Sequence, residues 1–531
     1  MKKALTAETL VPPLLLAAFL LLRLFHNVFE NDELQHLHVV WSWTRGLVQY
    51  KDVFDNHAPL YHLLTAAGMR LTGAGAGAGW LFLARALSLP VFAGLLAVSY
   101  RLGRELFSLK PAEALLAACL LGVVSPFMAM AARPEPLWLL FFFLSLLLLA
   151  SPGGGTRRSF LAGLANGAGA MVSLKTLALL LPAQALGLAA LHLCRRTRPS
   201  LRSAAAFAAG LAAAPALVAV YFVKLDAFRE LLYYTLTYNA SGAPLRLSAA
   251  GAGQAAAVLL AGGYLLKRYC ARAGDGLFFY LSTAAALAAL LALYPVMEHQ
   301  TVLPLRLMLY AAAAALAVRL ARPLGPAGAR AARLALFGAV LLFQLWNTGA
   351  LRAGNSGQLA YIGRALELAG PDGQVMDAKG ETVFGRRPFY YALELLAQRR
   401  LDSGAIADEI PERMTAAGTK LLLLWYPARF TEKDREFFAR NYVPLPAPYE
   451  RLLAAGKRLR PGTAGTDFDI AIPADYLASC SGGGRPYLDG KPYAGTPVHL
   501  AAGRHRAAGP GCGELELIWS KAAPGAAGEG K

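Results

Sequence analysis

Two short stretches hold most of the groups in this chain that can move a proton, meet an anion or hold a metal. The first is Asn31-Asp32-Glu33, directly after the first apolar run. The second follows about twenty residues later as Tyr50-Lys51-Asp52-Val53-Phe54-Asp55-Asn56-His57-Ala58-Pro59-Leu60-Tyr61. A charge kept beside a bilayer is costly to desolvate, so carboxylates there mark chemistry. Further ionisable groups recur at the edges of later apolar runs: Arg133-Pro134-Glu135, Lys175-Thr176 and Glu298-His299-Gln300, with Arg306 inside the run that follows.

These residues need a membrane scaffold to position them. Apolar residues make up 56% of the 531-residue chain and charged ones 16%, with a mean hydropathy of +0.42. Runs long enough to cross ~30 Å of hydrocarbon repeat up to about residue 350, the pattern of a polytopic α-helical membrane protein. About 11 spans are expected, near residues 9–26, 80–103, 112–131, 136–150, 159–174, 176–194, 203–223, 249–267, 277–294, 301–320 and 334–350. The net charge of +19 does not point to nucleic acid, because Lys and Arg fall in short clusters between apolar runs. Lys2 and Lys3; Arg101, Arg104 and Lys110; Arg157 and Arg158; Arg195, Arg196, Arg198 and Arg202; Lys267, Arg268 and Arg272; and Arg319, Arg322, Arg330 and Arg333 all fall on one side of the alternation. By the positive-inside rule that side is cytoplasmic, so the N-terminus is expected inside and every chemical candidate outside. Arg23-Leu24-Phe25-His26-Asn27 offers no small-residue cleavage site, and the first run is read as a retained span. The runs at 159–174 and 176–194 are separated by so few residues that they form either a tight hairpin or one broken segment.

In the first outer loop, Leu34, Leu37, Val40, Trp41, Thr44, Leu47 and Val48 share one side of a helix, with Gln35, His36, His38, Ser42 and Arg45 opposite or at its edges. Such a helix suits the membrane interface, with tryptophan at headgroup level. Asp32 with Gln35 three residues on also fits a capping box, a local role compatible with a chemical one. The chain is expected to divide into a membrane-embedded domain at 1–351, a soluble α/β domain at 352–478 and a small β-rich module, a β-sandwich, at 479–531. Helical stretches at 390–400, 405–417 and 431–441 alternate with strand-like runs at 419–426 and 468–472, and Asp-Gly and Gly turns punctuate the end of the chain. Cys480 and Cys512 are the two cysteines of this tail, and an oxidising compartment would allow them to pair. No Walker loop, CxxC or GxGxxG-before-helix pattern is present, and residues 73–79 read as a flexible connector.

Asp32-Glu33 just after the first span, an interfacial helix, and then the 46–61 segment leading into a second one together resemble the GT-C glycosyltransferases. The likeness is to the dolichyl-phosphate-mannose protein mannosyltransferase and lipid A aminoarabinose transferase type (glycosyltransferase family 39/83-like). Arg133-Pro134-Glu135, Lys175-Thr176 and Glu298-His299-Gln300-Thr301-Val302-Leu303-Pro304 add to the resemblance, which covers about residues 10–350. It implies a GT-C-like enzyme that moves a sugar from a polyprenyl-phosphate donor to a lipid, glycan or protein acceptor on the outer face, with inversion. A carboxylate within reach of the acceptor can take its proton, and cations near the leaving phosphate matter more than a separate acid. Asp32 matches the family's catalytic aspartate, with Glu33 the neighbour most easily confused with it and Glu135 a second acid beside it. Asn56-His57-Ala58-Pro59-Leu60 falls where some relatives carry Glu-Lys-Pro-Pro-Leu, so His57 would inherit a phosphate contact although a histidine carries only part of a charge near pH 7. Arg133, Lys175, His299 and Arg306 are further candidates for the donor phosphate, and Asp55 and Asn56 for support of His57.

Plainer roles stand beside these. Lys175 can snorkel to the interface, Arg133 can pair with Glu135, and Asp52 and Asp55 can be solvated loop charges. His36, His38, His57 and His62 with Asp32, Asp55 and Glu135 supply metal-ligand types, but His36 and His38 face different ways on a helix. No cofactor is certain, and a divalent metal stays open. The alternatives are a transporter or flippase of lipid-linked sugars, which should carry ionisable groups near the bilayer midplane, or a non-catalytic envelope scaffold. The composition suggests a bacterial inner membrane, with the tail in the periplasm.

Overall fold

The apolar runs fold as helices because each satisfies its own backbone hydrogen bonds, the requirement hydrocarbon imposes. The computed structural model describes residues 7–125, 130–151, 155–197, 200–241, 249–265, 274–294, 299–352, 354–462 and 465–523. Lys2, Lys3, Arg198, Lys267, Arg268, Arg272 and Glu298 lie outside the described residues, as do parts of the runs expected at 112–131 and 249–267. In chain order come α1 (Ala7–His26), α2 (Asn31–Thr44), α3 (Leu60–Thr72), α4 (Ala78–Ala86), α5 (Ser88–Glu105) and α6 (Pro111–Val124). Helices Glu135–Ala150, Thr156–Val172, Leu181–Arg195, Leu201–Lys224, Ala249–Leu265, Asp275–Leu293, Leu303–Leu320 and Gly325–Asn347 follow. Among the described residues, six helical stretches are long and apolar enough to cross a membrane, and two of them, Ala78–Glu105 and Leu303–Asn347, each cover two α-helices.

Helices Thr156–Val172 and Leu201–Lys224 touch backbone to backbone. A Cβ at Gly167 would sit 2.3 Å from the Leu211 carbonyl oxygen, and one at Gly210 2.1 Å from that of Phe160. Small residues are what allows such an approach where lipid removes the hydrophobic drive between helices. Two π-helical turns, Thr176–Leu180 and Tyr233–Thr237, interrupt the regular ladder, and both border the cavity described below.

The first loop is more enclosed than its amphipathic pattern implies. Every residue of α2 from Glu33 to Trp43 is buried, so its polar side meets protein. The C-terminal unit provides that cover: His38 Nδ1 lies 2.9 Å from the Val383 carbonyl, and Gly380 has no room for a side chain, since a Cβ would lie 2.8 Å from the His38 ring.

Within the C-terminal unit a seven-stranded sheet joins, in this order, β1 (Val375–Met376), β2 (Leu421–Leu423), β4 (Leu452–Leu459), β11 (Leu515–Trp519), β6 (Ala474–Cys480) and β9 (Val498–Leu500), with β3 (Tyr442–Pro444) pairing β4. β1 is parallel to β2, and the remaining pairs are antiparallel. β11 inserts between β4 and β6, so strands on either side of residue 478 share one sheet. A second, four-stranded sheet joins β5 (Thr466–Ile470), β10 (Gly503–Ala508), β7 (Tyr487–Leu488) and β8 (Lys491–Pro492), while β9 edges the first. The β7–β8 turn is Asp489-Gly490, both at positive φ (51° and 77°), the backbone a two-residue hairpin demands. Cys480 and Cys512 are bonded, closing a loop across a sequence separation of 32. Reduction is therefore expected to cost this unit about 3–4 kcal/mol. Thermal unfolding with and without reductant checks this, and an unchanged transition would contradict it.

Candidate active site

Asp32 is the second residue of α2 and not its cap. Glu30 holds the N-cap position and makes no side-chain cap bond, which leaves the Asp32 carboxylate, 38% exposed, free to meet cations. Lys379 Nζ lies 2.5 Å from Oδ1, Arg133 lies 3.6 Å from Oδ2, and the Gln300 amide lies 3.5 Å from it. Burial opposes the charge, but Lys379 first, then Arg133 and His57, hold this carboxyl down at about 2.

Arg133 is almost fully buried and gathers three carboxylates. It chelates Glu135 at 2.6 and 3.1 Å, pairs with Glu30, and faces Asp32. Glu33, one residue from Asp32, points elsewhere. Its side chain is fully buried and bound at both oxygens by Arg85, at 2.7 and 2.8 Å, and it also accepts the Ala132 N–H at 2.9 Å. Arg85 uses its remaining hydrogens on the carbonyls of Leu24, Asn27 and Val28, so all five guanidinium donors are engaged. Glu33, expected among the chemical candidates, does not line the cavity described below: its pair with Arg85 ties α2 to α4 and to the C-terminal end of α1, and it fixes the turn that carries Arg133.

A tight loop builds the second cluster. Tyr50 adopts a left-handed backbone (φ 72°), costly for an aromatic residue, and is held there by Tyr390 Oη donating to its carbonyl at 2.5 Å and by its own hydroxyl donating to the His57 carbonyl. Trp43 donates to Gln49 (3.1 Å), which donates to Asp55 (2.6 Å). Asp55 is fully buried and pairs with His57 Nδ1 at 2.7 Å and His62 Nδ1 at 3.4 Å. For His57 burial works against protonation, but Asp55 outweighs it and raises the pKa above the ordinary value. His36, 2.9 Å from His62, goes the other way: burial lowers both, His62 to about 4. The cluster thus concentrates its charge on His57, 39% exposed. Among the described residues no group of three His, Cys, Asp or Glu is arranged to hold a metal ion; the imidazoles of this cluster bond one another and Asp55.

A cavity of about 460 Å³ joins these clusters. Asp32, Gln35, Asn56, His57 and Glu135 line it from the first loop and the 133–135 turn. Ser173, Lys175, Thr235 and Asn239 line it from beside the two π turns. Gln300 and, from the C-terminal unit, Lys379, Glu394, Arg399 and Arg429 complete the wall. Asn239 exchanges amide hydrogen bonds with Asn56 at 3.2 and 2.8 Å, bracing the His57 loop. His299 and Arg306 are not brought here. They lie 3.1 Å apart and line a separate, mostly apolar cavity of about 110 Å³ beside Phe92, Leu139 and Leu307. Lys379, Arg399 and Arg429 were missed by sequence reasoning. The one signal was the run Asp377-Ala378-Lys379-Gly380-Glu381, dense in charge directly after a strand-forming pair, which reads as a solvated loop until its burial is known.

No family model matches the chain, and no curated protein matches it. Among solved structures, ArnT from Cupriavidus metallidurans in the apo state is similar over 85% of this chain and 98% of its own, with a TM-score of 0.55 at 14% identity. ArnT bound to undecaprenyl phosphate is similar over 83% and 96%, with a TM-score of 0.50 at 12% identity. The Archaeoglobus fulgidus oligosaccharyltransferase in complex with Zn and sulfate is similar over 83% and 73%, with a TM-score of 0.45 at 10% identity. At these identities what is shared is the fold, and the chain is a membrane protein of the GT-C fold, a bundle of apolar helices with a C-terminal unit rich in strands.

Proposed function

We propose that this protein is a membrane glycosyltransferase that moves a sugar from a polyprenyl-phosphate donor to an acceptor on the outer face of a bacterial inner membrane. The observation that carries this is one cavity in which the Asp32 carboxylate stands among His57, Lys175, Lys379, Arg399 and Arg429. One anion able to take a proton and several cations able to meet a phosphate are what such a reaction needs, and the ArnT structure of the same fold holds undecaprenyl phosphate. In this reading residues 1–351 supply the base, His57 and Lys175, and the rest of the chain closes the cavity and adds Lys379, Arg399 and Arg429 to its wall.

The acceptor hydroxyl or amine attacks the anomeric carbon from the face opposite the phosphate. A carbon–acceptor bond forms, the carbon–oxygen bond to phosphate breaks with its electron pair going to phosphate, and the configuration inverts. Asp32 takes the acceptor's proton. His57, charged by its pairing with Asp55, and Lys175 stabilise the leaving phosphate. Arg133 and Glu135 set the position of Asp32, with Asn56 supporting the His57 loop. The departure from the family's lysine is offset by Asp55: a histidine on a buried carboxylate does part of a lysine's work.

That substitution has a pH signature. A raised pKa means His57 is cationic below it and loses its charge as pH rises through it. Above pH 7, where the second ionisation of a phosphate monoester (~6) is complete, affinity for undecaprenyl phosphate is expected to fall with rising pH. His57→Lys should remove that fall, and His57→Gln should lower affinity at the low end of the range and converge with wild type as His57 loses its charge. Titrating the purified protein in nanodiscs with undecaprenyl phosphate between pH 7 and 9 tests the donor site. No binding at any pH would rule out the proposed donor.

A further inference from the structure

The proton acceptor in this cavity is covered. Lys379 Nζ sits 2.5 Å from Asp32, and the lysine side chain is only 5% exposed. We propose that Lys379 is a donor-phosphate ligand contributed by the C-terminal unit, one that leaves Asp32 for the phosphate when the lipid carrier binds and so uncovers the base. The inference rests on the glycosyl-transfer reading above.

The backbone that presents Lys379 is pinned. Asp377 accepts from Gly380 N (2.6 Å), Thr382 N (2.9 Å) and Thr382 Oγ1 (2.8 Å), and Arg387 lies 3.0 Å from it. Glu381 accepts the Lys379 N–H at 2.6 Å, and Val383 is held by His38. Turning the Asn31 amide lets it donate to Glu381 at 3.0 Å and accept from Arg429 at 3.1 Å, a further tie between α2 and this unit. The loop therefore delivers an ammonium to a fixed place, and only its four-carbon stem has to move. The cavity wall beside it carries His57 and Lys175, so the new position is shared with other cations. Of the wall's other carboxylates Glu135 is already chelated by Arg133 and Glu394 accepts the Leu396 and Ala397 N–H groups, so a bound phosphate is what offsets the mutual repulsion of these cations.

Asp32 is not stranded by the exchange, because Arg133 stays 3.6 Å away and the Gln300 amide 3.5 Å away. Its proton affinity rises when the nearest cation departs, since Lys379 is the largest of the influences holding that affinity down. With Lys379 in place the carboxylate is a poor base; with Lys379 on phosphate it is a better one. The arrangement couples donor binding to competence for proton transfer, and without donor the base stays covered.

The test is a double-mutant cycle on binding of undecaprenyl phosphate to the full-length protein in nanodiscs. Lys379→Met is expected to weaken binding tenfold or more, and Lys379→Arg to restore most of it. Asp32→Asn alone should strengthen binding, because it releases Lys379, and the double variant should bind like Lys379→Met. A purely structural ion pair instead makes the two single variants behave alike. Wild-type affinity in Lys379→Met, or unchanged or weaker affinity in Asp32→Asn, overturns the proposal while leaving the donor site intact. Failure of the wild-type protein to bind the lipid at all overturns the underlying reading and the proposal with it.

Discussion

Asp32→Asn is expected to lower sugar transfer by about 10²–10⁴-fold, the usual contribution of a positioned general base, or about 3–5 kcal/mol of the barrier. Asparagine keeps the shape but loses the charge that holds Lys379 and cannot take a proton. It fills the same space at the cavity wall, with Arg133 and Gln300 still beside it, so folding should survive. Transfer of radiolabelled sugar from the lipid-extractable fraction to the acceptor fraction of membranes, at matched protein levels, checks the rate. Elution as a single species from size-exclusion chromatography checks the fold. An undiminished rate in a well-folded variant removes Asp32 from the role of base.

Glu33→Ala, one residue away, is expected to do the reverse and act on stability. It leaves the Arg85 guanidinium, 1% exposed, without its carboxylate, and it orphans the buried Ala132 N–H. Removing one partner of a buried ion pair costs about 3–5 kcal/mol, much of a typical 5–15 kcal/mol of stability. The loss should appear as a lower unfolding temperature in detergent and a smaller monodisperse yield, with transfer per folded molecule reduced far less than in Asp32→Asn. A Glu33→Ala protein as stable as wild type would contradict the assignment of this carboxylate to the frame.

Why adjacent acids part ways was not legible in the sequence. About 100° of helix rotation separates them, and what decides their fates is Arg85, inside an apolar run and 52 residues away. The membrane part was legible because hydrocarbon enforces helices and long apolar runs declare them. The cavity was legible in part: Asp32, Asn56, His57, Glu135 and Lys175 lie at edges of apolar runs, where ionisable groups stand out, and they come together. His299 and Arg306 stood out for the same reason yet meet each other in a different cavity, since charge alone does not say which way a helix faces. Lys379 was hidden because its significance comes from docking across 347 residues of sequence. The shared sheet was hidden for a similar reason: β11 completes it by pairing with β4, more than fifty residues earlier, and local turns carry no trace of that.

The most direct test is mass spectrometry of polyprenyl-linked sugars and envelope glycans in cells carrying either the wild-type protein or Asp32→Asn at equal levels. The expected result is one polyprenyl-phosphate sugar accumulating in the Asp32→Asn cells, while one sugar modification present with wild type disappears. Identical lipid-linked sugars and identical glycans in the two strains would contradict the assignment of this cavity to glycosyl transfer.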